Sequence, residues 1–175
     1  MKRILFVTGT RADFGKLKSL IKILDSHPGF EVSIFVTGMH MQNLYGSTYL
    51  EVERCGCKNI FKYLNHTSEA TMDLTLSKTI DGLSTYLKEN PVDLIVVHGD
   101  RVEALAGAIT GSLNNILVAH IEGGELSGTI DELIRHAVSK LSHIHFVAND
   151  RARCRLIQMG EQEESVFVIG SPDMD

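Results

Sequence analysis

The feature of this sequence that most constrains its fold is a pair of short apolar runs, each of which ends beside a glycine and an acid. One reads Leu-Ile-Val-Val-His-Gly-Asp-Arg at 94–101, the other reads Leu-Val-Ala-His-Ile-Glu-Gly-Gly-Glu at 117–125, and a helical pattern follows each. Short apolar runs that alternate with helices predict a parallel sheet covered on both faces. Since ligands of such sheets bind outside the carboxyl ends of the strands, we expect a binding site where these two runs end.

Strand-like segments and helical patterns alternate along the chain. The clearest helical pattern covers 130–141, and Thr129 and Glu132 have the spacing of a capping box at its start. The alternation predicts an α/β fold with a doubly wound, mostly parallel, Rossmann-like sheet and right-handed crossovers. The predicted strands are residues 3–7, 31–36, 59–63, 93–97, 116–121, 144–147 and 166–169.

Composition and charge argue against several classes of protein. The 175 residues, 43% of them hydrophobic, suit one globular domain. No apolar run approaches the roughly 20 residues that span a bilayer, and polar residues follow the first seven too early for a signal peptide, so we expect a cytoplasmic protein. The net charge of −5 gives no reason to expect nucleic acid as a partner. Three cysteines without zinc spacing predict free thiols and no metal site.

The last residues of the chain predict a connection to a further domain. The segment Gly-Ser-Pro-Asp-Met-Asp at 170–175 follows the last predicted strand, and Pro172 suits the start of a connection. A crevice at strand ends is usually closed by another element or domain. We therefore expect residues 1–170 to form an amino-terminal domain and 171–175 to begin a linker to a carboxyl-terminal domain that this chain lacks.

Three acids, Asp100, Glu122 and Asp131, are predicted to meet at the crevice. Asp100 and Glu122 follow neighbouring strands, and Asp131 is the second residue of the predicted helix 130–141. Each also has a structural interpretation: Asp100 as a helix N-cap, Asp131 as an acid favoured by the helix dipole, and Glu122 as the start of a glycine-rich bend. If the carboxylates are crowded, the pKa of one of them rises, which suits proton transfer.

The first strand-to-helix turn, Thr-Gly-Thr-Arg-Ala-Asp-Phe-Gly at 8–15, lacks the dinucleotide fingerprint and the P-loop signature. NAD is therefore not expected, and nothing in the sequence calls for a cofactor. Arg11 and Lys16 lie at the start of a predicted helix, where backbone N–H groups, the helix dipole and a guanidinium suit a phosphate. The alternative is that Arg11 is a solvated residue of the first turn.

Three further residues are candidates for the substrate pocket. Arg101 follows Asp100 directly, His40 follows the second predicted strand, and His136 lies beyond Asp131 on the same predicted helix. His40 is expected at the pocket mouth and His136 within reach of the crevice. The alternatives are an exposed arginine and a histidine that is only packed against its helix.

Five motifs follow one another along the chain. They are Gly-Thr-Arg-Ala-Asp-Phe-Gly-Lys (9–16), Val-Thr-Gly-Met-His (36–40), His-Gly-Asp-Arg (98–101), His-Ile-Glu-Gly-Gly-Glu-Leu-Ser-Gly-Thr-Ile-Asp-Glu (120–132) and Ile-Gly-Ser-Pro-Asp (169–173). In order and spacing, these motifs resemble those of the hydrolysing UDP-N-acetylglucosamine 2-epimerases of sialic acid biosynthesis. The resemblance implies two Rossmann-like domains in the glycosyltransferase-B arrangement with the active site between them, and a dimer or tetramer. It also implies that UDP-N-acetylglucosamine is the substrate and UDP a product.

Residue by residue, the resemblance assigns roles to the candidates above. It implies that Asp100, Glu122 and Asp131 are the active-site acids and that Arg11, Arg101 and Lys16 lie near the substrate. Related non-hydrolysing epimerases carry Gln where this chain has Met39, and Arg-Pro-Glu where it has Arg-Ala-Asp. Both departures favour the hydrolysing branch.

The sequence leaves four different functions open. They are a non-hydrolysing epimerase, an epimerase of a modified sugar such as a diacetylbacillosamine nucleotide, a glycosyltransferase of the same fold, and a binding domain without activity. The three acids speak against the glycosyltransferase, because sugar transfer needs fewer of them.

Overall fold

Strands and helices alternate along the chain in a computed structural model, which describes residues 1–66 and 69–172. The strands are β1 (Lys2–Thr8), β2 (Phe30–Val36), β3 (Asn59–Lys62), β4 (Leu94–His98), β5 (Leu117–Ile121), β6 (Ile144–Val147) and β7 (Val166–Val168). The α-helices are α1 (Arg11–Ser26), α2 (Tyr49–Glu53), α3 (Met72–Glu89), α4 (Val102–Leu113), α5 (Ile130–Leu141) and α6 (Asp150–Gln158), with short 3₁₀ helices at Gly38–Met41, Asn43–Tyr45 and Glu163–Ser165.

All seven strands pair in parallel, in the order β3-β2-β1-β4-β5-β6-β7. The order reverses between β1 and β4, where the chain crosses from one half of the sheet to the other, and ligands of doubly wound sheets bind at this point. The predicted α/β fold is therefore confirmed, and every predicted strand is present with its ends within one residue of the prediction.

The core lies on both faces of the sheet, which explains why the central strands β1, β4 and β5 contain almost continuous apolar runs. Along β1, Leu5 and Val7 pack with β4 and with α3 and α4, whereas Ile4 and Phe6 pack under α1. All four are almost completely buried. Burying a side chain of this size stabilises the fold by about 1.5–3 kcal/mol, so the central strands hold the turns that follow them in fixed positions.

The helix starts differ from the prediction in one respect. A capping box forms at α1, between Thr10 and Asp13, whereas the one predicted at α5 is wrong. There the carboxylate of Glu132 accepts from the backbone N–H groups of Ser127 and Gly128, at 2.8 and 2.7 Å, and Thr129 makes no capping hydrogen bond through its side chain. One carboxylate oxygen thus reaches two donors in the preceding loop instead of one at the N-cap.

No helix in residues 1–66 and 69–172 combines the length and the apolar character needed to cross a bilayer. The three cysteines, Cys55, Cys57 and Cys154, are free thiols, as predicted. Of the predicted linker start at 171–175, Ser171 and Pro172 are described, and 173–175 lie outside the described residues.

Candidate active site

A cavity of about 310 Å³ opens beside the carboxyl end of β4. Its walls include Asp100 and Arg101 from the turn after β4, Glu103 from the first turn of α4, and Asp131 from the first turn of α5. A larger cavity of about 610 Å³ lies at the amino ends of the strands, between β3 and the end of α3. Since ligands of this fold bind at the carboxyl ends, the smaller cavity is the candidate site.

Glu122 lies at the end of the neighbouring strand, within a cluster of donors, and is not among the residues that line this cavity, so the structure brings two of the three predicted acids together there. Its carboxylate accepts from Nζ of Lys16 at 2.8 Å, from Nε2 of His98 at 3.0 Å and from Oγ of Ser171 at 2.9 Å. The hydrogen bond from His98, followed by that from Lys16, lowers the pKa of Glu122 from 4.5 to about 2. Glu122 is therefore not the acid whose pKa crowding would raise, because hydrogen-bond donors surround its carboxylate.

Asp100 forms an ion pair with Nη2 of Arg135 on α5. Arg135 also donates from Nη1 to the backbone oxygen of Glu125 at 3.3 Å, and only 13% of its side chain is exposed. Arg135 was not among the residues expected at the site from the sequence. The available signal was its spacing, because it follows Asp131 by four residues and such residues share one face of a helix.

His120 connects the elements that carry these acids. Its buried ring lies between the backbone oxygen of Gly99, 2.8 Å from Nε2, and Oγ of Ser139, 2.9 Å from Nδ1. Burial lowers the pKa of His120 to about 3, so the ring is neutral at pH 7. A carbonyl oxygen only accepts, so Nε2 carries the proton and Nδ1 accepts from the hydroxyl of Ser139. The ring thereby links the turn of Asp100 to α5.

The two glycines after Glu122 allow close packing of the loop against two helices. A Cβ atom at Gly123 would lie 2.7 Å from Oγ of Ser139, and one at Gly124 would lie 2.6 Å from the backbone oxygen of Ala152. Both glycines are thus required by their contacts with α5 and α6. These contacts explain the two glycines without a ligand beside them.

The start of α1 holds an anion that belongs to the protein. Asp13 accepts from the backbone N–H groups of Gly9 and Thr10, both at 3.0 Å, and from Oγ1 of Thr8 at 2.6 Å. These two backbone donors of the turn before α1 are therefore occupied by a carboxylate of the protein itself. Arg11 is exposed and lies 3.2 Å from the carboxylate of Glu51.

Neither of the two histidine candidates lines the cavity. His40 is completely buried, and its ring lies 2.9 Å from Oγ1 of Thr8 and 2.8 Å from Oγ1 of Thr48. It therefore cannot line a pocket mouth, because both ring nitrogens have partners in the interior. Nε2 of His136 lies 3.9 Å from Oε1 of Glu132 along α5, and 23% of the side chain is exposed, but His136 is not among the residues that line the cavity.

The charges of the site suit proton transfer beside an anionic leaving group. Asp100 pairs with Arg135 and Glu122 with Lys16, while Arg101 stands on the cavity wall. Within the described ranges, no group of three His, Cys, Asp or Glu side chains is arranged to hold a metal ion. Carboxylates that exchange protons and cations that stabilise developing negative charge are the two resources that this arrangement offers.

Comparisons with known proteins agree on one family. The UDP-N-acetylglucosamine 2-epimerase of Neisseria meningitidis is 53% identical over the whole of this chain, which covers 46% of that protein. The UDP-N,N'-diacetylbacillosamine 2-epimerase (hydrolyzing) of Legionella pneumophila is 41% identical over the whole of this chain, which covers 47% of that protein. A crystal structure of the Methanocaldococcus jannaschii UDP-GlcNAc 2-epimerase with UDP-GlcNAc and UDP superposes with a TM-score of 0.84 at 26% identity, over 97% of this chain and 46% of that one. The chain thus spans about half the length of the relatives it matches. Since the sequence model described as UDP-N-acetylglucosamine 2-epimerase also matches residues 22–175, this chain belongs to the UDP-N-acetylglucosamine 2-epimerase family.

Proposed function

We propose that this chain forms the amino-terminal half of the active site of a hydrolysing epimerase, which converts UDP-N-acetylglucosamine and water into N-acetylmannosamine and UDP. The observation that carries the proposal is the cavity at the end of β4, which Asp100, Asp131 and Arg101 line together. The ionised Glu122 stands at the end of the next strand.

The chemistry explains why several acids are needed. The C2 proton of the sugar has no adjacent carbonyl and is a poor acid, so its removal is coupled to departure of UDP from C1. The C2–H and C1–O bonds break, and the electron pair of the C–H bond forms the double bond of a glycal. Water then adds at C1, and C2 receives a proton on the opposite face. This sequence needs a base, an acid and a group that activates water.

The three acids are assigned different roles because their surroundings differ. Glu122 is ionised at neutral pH, since its pKa is about 2, so we assign it to accepting a proton or a hydrogen bond and not to donating a proton. Asp100 and Asp131 line the cavity, and we assign to them the proton transfers at the sugar ring. Arg135 orients Asp100 through their ion pair.

The positively charged side chains are assigned to stabilising the diphosphate of the leaving UDP. Arg101 lines the cavity, and Lys16 bonds Glu122 at the end of the neighbouring strand. Negative charge develops on the diphosphate as the C1–O bond breaks, and positive groups stabilise it most when they are already in place. Arg11, exposed at the start of α1, is a third candidate that would exchange Glu51 for phosphate.

The test of the mechanism is turnover in heavy water with the complete gene product. The elimination route predicts one deuterium at C2 of the released N-acetylmannosamine, together with free UDP. Unlabelled product would refute the elimination, and UDP-N-acetylmannosamine as the product would refute hydrolysis. Asp100→Asn is the matched control for contaminating activity, because it removes the charge while keeping the shape of the side chain.

A second proposal concerns the other half of the site. The relatives are about twice as long as this chain, and crevices at strand ends are commonly closed by another domain. We therefore expect residues 1–175 alone to show no appreciable turnover. Activity of these residues equal to that of a longer gene product would refute the two-domain site.

A modified sugar is the second candidate substrate. The observation in its favour is the 41% identity to the epimerase named for UDP-N,N'-diacetylbacillosamine. Parallel measurement of kcat/KM for the two nucleotide sugars discriminates them, and the larger value identifies the substrate.

A further inference from the structure

The carboxylate of Glu103 is buried at the switch point of the sheet. Glu103 is the second residue of α4, where the helix dipole favours an acid even when it is exposed. Here the residue is only 2% exposed. Burial of a charge costs free energy unless the charge is paired, so the helix dipole alone does not explain its position.

Two glycines provide the space that this carboxylate occupies. A Cβ atom at Gly9, after β1, would lie 2.8 Å from Cδ of Glu103, and one at Gly38, after β2, would lie 2.6 Å from Oε1. Gly38 also has a φ of +63°, which other residues rarely adopt. The turns after two strands thus leave room for one side chain of a third element.

The partner of this carboxylate is Arg101. Oε2 of Glu103 lies 3.4 Å from Nε of Arg101, and both atoms are buried without a hydrogen-bond partner among the described residues. The opposite oxygen, Oε1, is 3.4 Å from Nδ2 of Asn65. The carboxylate therefore faces one cation, through the inner nitrogen of its guanidinium.

The rest of Arg101 is left for the cavity. Its side chain is 39% exposed, lines the cavity with Asp100 and Asp131, and makes no hydrogen bond within residues 1–66 and 69–172. An arginine presents five donors in a planar fork. With Nε held against Glu103, the outer nitrogens are available to an anion.

We propose that Glu103 is a positioning residue, which holds the guanidinium of Arg101 on the cavity wall in the orientation that binds the diphosphate of the nucleotide sugar. The proposal rests on the proposed function for its ligand. A guanidinium that is already oriented loses less entropy on binding than one that must be ordered by the ligand. Glu103 also borders the cavity, but only 2% of it is exposed, whereas 39% of the Arg101 side chain is exposed, so we assign the contact with the ligand to Arg101.

The experiment is a double-mutant cycle in the complete gene product, with UDP as the probe and titration calorimetry as the measurement. Arg101→Ala and Glu103→Gln are each expected to raise the Kd for UDP about tenfold, the size of one charged hydrogen bond. The double variant is expected to match Arg101→Ala alone, because Glu103 acts only through Arg101. The proposal would be overturned if the factors by which the two substitutions raise the Kd for UDP multiply in the double variant. It would also be overturned if Glu103→Gln leaves that Kd unchanged.

Two controls separate positioning from folding. Glu163→Gln removes an acid from the exposed ion pair with Arg153 and is expected to leave the Kd for UDP unchanged. The melting temperature is recorded for every variant; if Glu103→Gln does not fold, Glu103→Asp is used, which keeps the charge and moves it by one methylene. A purely structural role would lower the melting temperature of Glu103→Gln and leave the Kd for UDP as in the unmodified protein.

The cycle also remains informative if the proposed reaction is wrong. If the protein binds UDP but releases no N-acetylmannosamine, the hydrolysing function fails while the cycle on UDP affinity still decides the role of Glu103. If it turns over but the two substitutions multiply, the function stands and the positioning role fails.

Discussion

Nε2 of His98 lies 3.0 Å from Oε2 of Glu122, so the last residue of β4 donates a hydrogen bond to the acid that follows β5. The two strands are parallel neighbours, with His98 opposite Ile121, and their ends therefore meet at the same edge of the sheet. Lys16 reaches the same oxygen from α1. Donors from two elements thus keep Glu122 ionised, which limits its part in the proposed reaction to accepting a proton or a hydrogen bond.

Removal of the His98 donor is expected to raise the pKa of Glu122 from about 2 toward 4.5. A lowered carboxyl pKa stabilises the folded state above pH 4.5, and this stabilisation is lost as the pH falls through 2. The stability difference between the unmodified protein and His98→Ala should therefore be full above pH 4.5 and shrink below it. Urea unfolding at pH 6 and pH 3.5 measures the difference. In a Glu122→Gln background it should no longer depend on pH through this window, and an unchanged dependence there would assign it to another group.

Loss of Arg135 is expected to reduce turnover more than substrate binding, because Arg135 orients Asp100. Misplacement of a reacting group by about 1 Å costs about 10²-fold in rate, so Arg135→Gln should lower kcat by about 10²-fold. Arg135→Lys keeps the charge but cannot bond Asp100 and the Glu125 carbonyl together, and an intermediate value is expected. Steady-state kinetics measure the effect, with Arg153→Gln, from the exposed pair with Glu163, as control. A kcat of Arg135→Gln equal to that of the control would contradict this role.

Much of the fold could be predicted because strands that are buried on both faces are marked by continuous apolar runs. Those runs located the central strands β1, β4 and β5 to within one residue, and the carboxyl ends of β4 and β5 followed from them. The acids at 100 and 122 were found for the same reason, since an acid directly after a buried strand is conspicuous.

The local pairings could not be predicted, because they depend on contacts between distant parts of the chain. Arg135 reaches Asp100 across 35 residues, and Lys16 reaches Glu122 across 106. The buried position of Glu103 depends on spaces beside Gly9 and Gly38, which lie on two other turns. Helical spacing and residue type describe one element at a time, so these pairings became visible only when the sheet was assembled.

The buried ring of His120 is expected to make the folded state less stable as the pH falls. Its pKa is lowered from 6.5 to about 3 by burial, so between these values the unfolded chain binds a proton that the folded chain excludes. Stability therefore falls as the pH decreases through this window. His120→Gln should remove that part of the dependence.

Urea unfolding at pH 7 and pH 4.5 tests the effect of His120. Other histidines of lowered pKa, such as His145, contribute equally to both proteins and cancel in the comparison. At pH 7 the variant should be less stable by about 1–3 kcal/mol, because a buried hydrogen-bonding group loses its partner. A variant with the same loss of stability between pH 7 and pH 4.5 as the unmodified protein would show that His120 is not the group responsible.

Glu122 has a φ of +62°, a left-handed conformation that is unfavourable for residues with a side chain. The cost is about 1–2 kcal/mol for such a residue and is absent for glycine. Glu122→Gly is therefore expected to be more stable than Glu122→Ala by about this amount. Both variants lose the carboxylate and its bonds to Lys16, His98 and Ser171, so that the comparison isolates the backbone, and both should lose turnover.

Lys78, exposed within α3, provides the control, because alanine there should be more stable than glycine by about 1 kcal/mol. Urea unfolding of the four variants gives the difference in stability between alanine and glycine at each position. If alanine is the more stable residue at 122 as well as at 78, the backbone at Glu122 carries no such strain.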